Sequence, residues 1–416
     1  MRTLPALLVA LLFVSAAVAP VAGWSVSATQ SQTAAPPAPR VATIENTTNH
    51  LTIPDSEVRT SSFNESGIDV GTAVAAGSTA LHQRHEAAAF ESRFGRLDSE
   101  FERTQHIRRV LSSIEAEEAE LDRRQQTAIR QYANGEITAT EFLRVRSMVD
   151  TESRELTQRL NRVKSTAEIA PDYSTSEGMT TRMNNVLGNL RTLQGPVGEQ
   201  LTESMFGTGG ADVVYLESST DAYMLATIDG SQYVRETRLG SQRAPNRTDA
   251  FAEAARNEAG GDRLVAAVER GRELYPWTYQ RQLPSVNAYG DTGIYRLAAQ
   301  TSNGQLTFFL DGGTTNVFYE LQHRDLSSVR TSSTETAFED GLRVTIDQSY
   351  ETGPLVMSVV DEESSEPVDG TVEINGQTVG RTGSNGHLWA VQPRGSYTVN
   401  VTTENGTEVS VPVFPE

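Results

Sequence analysis

Apolar residues along the chain fall into distinct rhythms, and each predicts a different kind of element. Phe90, Phe94, Leu97 and Phe101 recur at three- and four-residue steps, and Ile107, Leu111, Ile114, Leu121, Ala128 and Tyr132 continue in a second phase. This spacing predicts an amphipathic helix of coiled-coil type, running from about Thr79. Asn134-Gly135 breaks it, and Thr138-Ala139-Thr140-Glu141 has the form of a capping box opening a second helix. That helix carries Phe142, Val145, Val149, Leu156, Leu160 and Val163 before Pro171 ends it. Two long helices around a short polar turn predict an antiparallel hairpin. A third helix, with Met183, Val186, Leu190, Leu193 and Val197, is expected to pack on the pair, and Gly207-Thr208-Gly209-Gly210 follows as a hinge.

Beyond the hinge the period shortens. Val213–Leu216, Tyr223–Ile228 and Gln232–Thr237 predict strands, the last two joined by the hairpin signal Asp229-Gly230. Residues 249–275 predict helix, interrupted at Gly260-Gly261; Tyr295–Thr301 and Gln305–Leu310 flank Asn303-Gly304, and Val317–Gln322 is a last strand. The run from Tyr295 to Glu320 resembles the hairpins of PepSY-type domains, small helix-on-antiparallel-sheet modules of secreted precursors and envelope proteins. From Gly341 onward the chain is strand and turn. Val356–Asp361 and Gly370–Gly376 are followed by Thr382-Gly383-Ser384-Asn385-Gly386 and by Pro393-Arg394-Gly395-Ser396-Tyr397. These turns, in this order, resemble the carboxypeptidase regulatory-like (transthyretin-like) β-sandwich. The resemblance implies a non-catalytic spacer, stabiliser or ligand-presenting module, and the turn spacing independently predicts a sandwich.

The N-terminus adds an address. Met1-Arg2-Thr3 precedes an apolar run from Leu4 to Ala22, which predicts a secretory signal peptide cleaved after Gly23. The alternative is an uncleaved signal anchor, since the run is nearly of spanning length. Residues 24–76, rich in Ser, Thr, Ala and Pro, predict a disordered tether. The expected organisation is a signal peptide (1–23), a tether (24–76), a helical coiled-coil-like domain (77–205), an α+β module (211–330) and a β-sandwich (338–416). The fold class is thus multidomain α+β: an N-terminal helical hairpin or three-helix unit, a central helix-on-antiparallel-sheet module, and a C-terminal β-sandwich.

Charge changes the picture again. Lys164 stands alone against 34 arginines, with 54 acidic residues, no cysteine and a net charge of −19. So acidic a surface repels itself at low salt, and dense salt removes most of that cost. Acid excess with lysine loss looks like a protein of a salt-loving archaeon, although a GC-rich genome alone also depletes lysine. The balance argues against nucleic acid as a partner, and the missing cysteines exclude a disulfide framework.

Candidate chemistry is sparse. Asn46, Asn64, Asn246, Asn400 and Asn405 head Asn-x-Ser/Thr sequons, acceptors for N-glycans on an exported chain. His82 and His85 share a helix face with Glu86, but the order His-Gln-Arg-His-Glu is not a zinc-protease pattern, and a solvated helix start is the plainer reading. Glu339-Asp340 and Asp361-Glu362-Glu363 read as a solvated acidic face, and Tyr275-Pro276-Trp277-Thr278-Tyr279 as a plug of helix onto sheet rather than a groove. No catalytic residue, cofactor or metal site is assigned. The expectation is an exported, non-enzymatic cell-surface or envelope-associated scaffold. Its protein partners, or a second copy, would dock through the helical hairpin. The alternatives are a regulator or inhibitor of an extracellular protease, and an enzyme of unrecognised class.

Overall fold

A computed structural model describes residues 40–42, 49–257, 261–279 and 282–414. The apolar N-terminal run, the Gly23 boundary and Asn46 lie outside the described residues. Within the stretch that composition assigns to a tether, β1 (Val41–Ala42) and β2 (His50–Leu51) pair as a ribbon, and β3 (Thr60–Glu65) is a full strand. Leu51, Ile53 and Phe63 are buried. A few large side chains delivered into a core that others build can offset the ordering of a polar segment, which average composition does not reveal.

Asp69 caps α1 (Val70–Phe94), accepting from Thr72 N at 2.8 Å. The helix stops at Gly95, and α2 (Glu100–Ala133) starts after Ser99, whose hydroxyl accepts from Glu102 N. The stretch expected as one helix is therefore two. Phe90 and Phe94 are buried, whereas Phe101, expected in the same stripe, is 71 % exposed. The phase change marks a chain reversal rather than a drift of the stripe. α3 (Ala139–Ile169) opens on the expected capping box, with Thr138 and Glu141 each accepting from the other's backbone amide. Tyr132 stacks on Phe142 beside the turn while Thr104 meets Tyr173 at the far end, so α2 and α3 run antiparallel. α1 packs along α3, and α4 (Glu177–Arg191) lies against both α2 and α3, burying Met183, Val186 and Leu190. A break at 192–195 separates α4 from α5 (Pro196–Phe206), which starts on a proline in its first turn.

The central sheet has eight antiparallel strands. β4 (Val213–Ser218), β5 (Ala222–Asp229) and β6 (Gln232–Leu239) form one meander. After α6 (Ala250–Asn257) and α7 (Arg263–Leu274), a second meander runs through β7 (Ser285–Ala288), β8 (Ile294–Thr301), β9 (Gly304–Asp311) and β10 (Val317–Asp325). β6 pairs with β10, giving the order β3-β4-β5-β6-β10-β9-β8-β7. Helices cover one face, where Val214, Leu216, Tyr223 and Leu225 meet Ile129, Phe142 and Val197. The opposite face carries Tyr215, Met224, Tyr233 and Phe308, in one core with Leu274 and Tyr275 and with the sandwich. Burial on both sides explains why β5 and β6 lack polar-out alternation.

The C-terminal strands make two four-stranded sheets. β11 (Ser333–Glu339), β12 (Leu342–Gln348), β13 (Pro354–Asp361) and β16 (His387–Val391) form one; β15 (Gln377–Arg381), β14 (Gly370–Ile374), β17 (Tyr397–Thr403) and β18 (Glu408–Val413) form the other. The first strand precedes the expected start at Gly341. Asp340-Gly341 and Asn375-Gly376 have positive φ at both residues, the two-residue hairpin geometry that matches strand twist.

Candidate functional site

The sequence-derived candidates scatter over the molecule. Asn246 and Asn405 are exposed, Asn246 in the turn after β6 and Asn405 between β17 and β18. Asn64 is half-buried on β3, its Nδ2 donating to Ser62, and Asn400 on β17 accepts from Ser410 Oγ at 2.8 Å. His82 and His85 are exposed on α1, and among the described residues no three potential metal-binding side chains converge. Asp340 is a turn residue. Asp361 caps its own turn, accepting from Glu363 N and Ser364 N, and these bonds hold its carboxyl below the usual range. Tyr275 is fully buried, its ring tilted against Phe308 at 4.5 Å, so it plugs the core. Ser358 Oγ and His387 Nδ1 lie 2.8 Å apart on an exposed strand face of the sandwich. Among the described residues no helix is long and apolar enough to cross a membrane.

The buried charges, by contrast, converge on β6. Glu236 faces the helices and Arg235 the opposite side, as strand alternation requires. Arg146 from α3, 1 % exposed, donates Nε to Glu236 Oε1 at 2.8 Å, and Glu236 is wholly buried. Val197 N and Gly198 N, at the start of α5, donate to its other oxygen at 3.2 and 3.4 Å, where the helix dipole favours a carboxylate. Gly195 is obligatory here, because a Cβ would come within 1.9 Å of that same oxygen. Asp150 accepts from Gly195 N at 2.7 Å and from Arg154 Nε at 2.6 Å. On the other face Glu320 accepts from Arg235 at 3.2 Å, Leu51 N at 2.8 Å, Gln322 and the Tyr275 hydroxyl. Burial pushes its carboxyl up against the pull of Arg235. Arg394, from the turn between β16 and β17, donates to Glu217 at 2.8 and 3.0 Å and pairs with Asp55. Each of these groups is spent on tying one element to another.

A cleft of about 540 Å³ opens between α2 and the ends of β6 and β10. Glu118, Asp122 and Arg130 line it from α2, Arg238 from β6, and Arg243 from the loop beyond. Arg238 donates to Thr192 O at 2.9 Å and to Asp122 at 3.4 Å; Arg243 stacks over Phe318 at 5.2 Å and reaches Asp311 at 3.3 Å. Burial pushes Glu118 up to about 7, aided by neighbouring Asp122, against a hydrogen bond from Asn189. A concave site with convergent polar groups and a displaced carboxyl is where binding chemistry concentrates. One signal in the sequence marks both sites. Arg146 stands in register with Phe142, Val149, Leu156 and Leu160, and Glu118 with Leu111, Ile114, Leu121 and Ala128. Each is a charge in an otherwise apolar stripe.

Family models divide the chain near residues 210 and 330, with β3, at the edge of the central sheet, falling in the first segment. A family of unknown function (DUF7094) matches residues 214–330, the central sheet, and the archaeal fibronectin-III type-like domain matches residues 333–410, so the C-terminal sandwich is of that type. A comparison with curated proteins finds no match. The domain of unknown function DUF7096 matches residues 1–210, half of the 416 residues, and the chain belongs to that family.

Proposed function

We propose that this chain is an exported, non-enzymatic cell-surface or envelope-associated protein of a salt-loving archaeon, which presents its sandwich and helices rigidly to protein partners. The observation that carries this reading is the seam between sandwich and central sheet. Arg394 inserts between Glu217 and Asp55, and the Tyr233 hydroxyl on the sheet donates to Thr352 O at 2.5 Å. Such ties suit a protein that transmits position rather than one that opens and closes. The predicted export signal, the sequons and the acidic, cysteine-free composition support the address. Partner contact falls to the outer face of α1, where Val70, Val74 and Leu81 are exposed, because the α2–α3 seam is filled by α1, α4 and the sheet.

The protease-regulator reading draws on the PepSY-like run from Tyr295 to Glu320, which lies in the β8–β9–β10 meander, with α7 against β7 and β8. It predicts stoichiometric slowing of an extracellular halophilic protease. Whole-cell crosslinking in molar salt separates the two readings. The reagent must address carboxylates, since Lys164 and the amino terminus are the chain's only amines. The surface reading predicts crosslinks to envelope proteins; recovery solely as a free monomer in the medium contradicts it.

A further inference from the structure

In the cleft beneath α2 Arg238 pairs with Asp122, but Arg243 and Glu118 are less fully compensated than the charges around Arg146 and Arg235. Among the described residues Arg243 makes one hydrogen bond, to Asp311 Oδ1 at 3.3 Å, while Ala244 N and Thr314 N at 3.1 and 2.9 Å occupy the other oxygen of that carboxylate. Arg243 itself lines the cleft, its side chain 18 % exposed. Burial depresses its pKa because its paired charge does not fully compensate the lost water. On the opposite wall Asp122 is held by Arg238 and by Gln126 at 2.6 Å, whereas among the described residues Glu118 receives only a long bond, from Asn189 at 3.4 Å. Glu118 and Arg243 act on each other electrostatically without pairing directly. A half-compensated cation and a half-compensated anion therefore line the same cleft.

We propose that this cleft binds a small zwitterion, an α-amino acid or a short peptide with free ends, its carboxylate on Arg243 and its ammonium on Glu118. The planar guanidinium fork matches a carboxylate, and an ammonium beside Glu118 restores its charged form. A purely anionic ligand would meet Glu118, Asp122 and Asp221, and a purely cationic one Arg130, Arg238 and Arg243. A sugar would lack a stacking platform, because Phe318 is 1 % exposed and lies behind Arg243. The site is independent of where the protein resides.

Titration calorimetry of the full chain in molar potassium chloride at pH 7.5, with glycine, alanine, dialanine and trialanine, tests this. At least one should bind saturably at one site per chain. Its N-acetyl and C-amide derivatives should each bind at least tenfold more weakly. R243Q should abolish discrimination between free and amidated ends, and E118Q that between free and acetylated ends. The capped ligands keep the test within the wild-type chain should R243Q fail to fold. No saturable binding by any of the four, equal binding of capped forms, or tighter binding of glucuronate or inorganic phosphate would overturn the proposal.

Discussion

A buried guanidinium is tolerable only while its carboxylate stays with it, and Arg146 has Glu236 at 2.8 Å. Arg146→Ala leaves that carboxylate uncompensated in the core and should cost about 3–5 kcal/mol in urea unfolding; a loss within about 0.5 kcal/mol would show the pair to be idle. Glu118 carries the opposite lesson. Its carboxyl titrates at about 7 when folded, against a reference value of 4.5. Between those pH values the folded chain binds more protons than the unfolded one, so stability falls as pH rises, and the penalty is complete above about pH 7. Burial sets this shift, with Asp122 and Glu115 on α2 itself adding to it, and Asn189 on α4 and Arg243 on the facing loop opposing it. Glu118→Gln should therefore leave stability unchanged near pH 4 and raise it by about 2 kcal/mol at pH 8. Equal stability of variant and wild type at both pH values would contradict the assignment. Both residues were visible as charges in apolar stripes, but a stripe does not say whether its polar member meets a partner or a cleft.

At the scale of elements, sustained periodicity was readable and local interruption was not. The hairpin of α2 and α3, the capping box at Thr138 and the strands from β12 to β18 repeat a 3.6- or 2-residue period long enough to dominate. The reversal at 95–99 was hidden because Phe101 continues the spacing of Phe90, Phe94 and Leu97. Phe94→Ala should cost about 3–5 kcal/mol, while Phe101→Ala should stay within about 0.5 kcal/mol; comparable losses would restore the single helix. β3 and the β6–β10 pairing were equally hard to read. Each depends on a partner strand far along the chain, and strand pairing leaves no trace in local rhythm. The alternation of Arg235 and Glu236 on β6 looks like a solvated strand until both faces are seen to be covered.

At the scale of the molecule, the sandwich and the sheet share a core and a charged clasp. Arg394→Ala removes the clasp and strands Glu217, which is wholly buried. Calorimetry of this variant should show the sandwich melting in a separate, earlier transition, whereas the wild type melts as one unit; a single unshifted transition would mean that apolar contact alone couples them. The central claim concerns where this body sits. The most direct measurement is protease shaving of intact halophilic cells expressing the full chain, with mass spectrometry of the released peptides. The account predicts that peptides from 326–333 and 403–408 are released without lysis, and that a cleaved chain begins at Trp24. Complete protection of the chain until the cells are broken would contradict it.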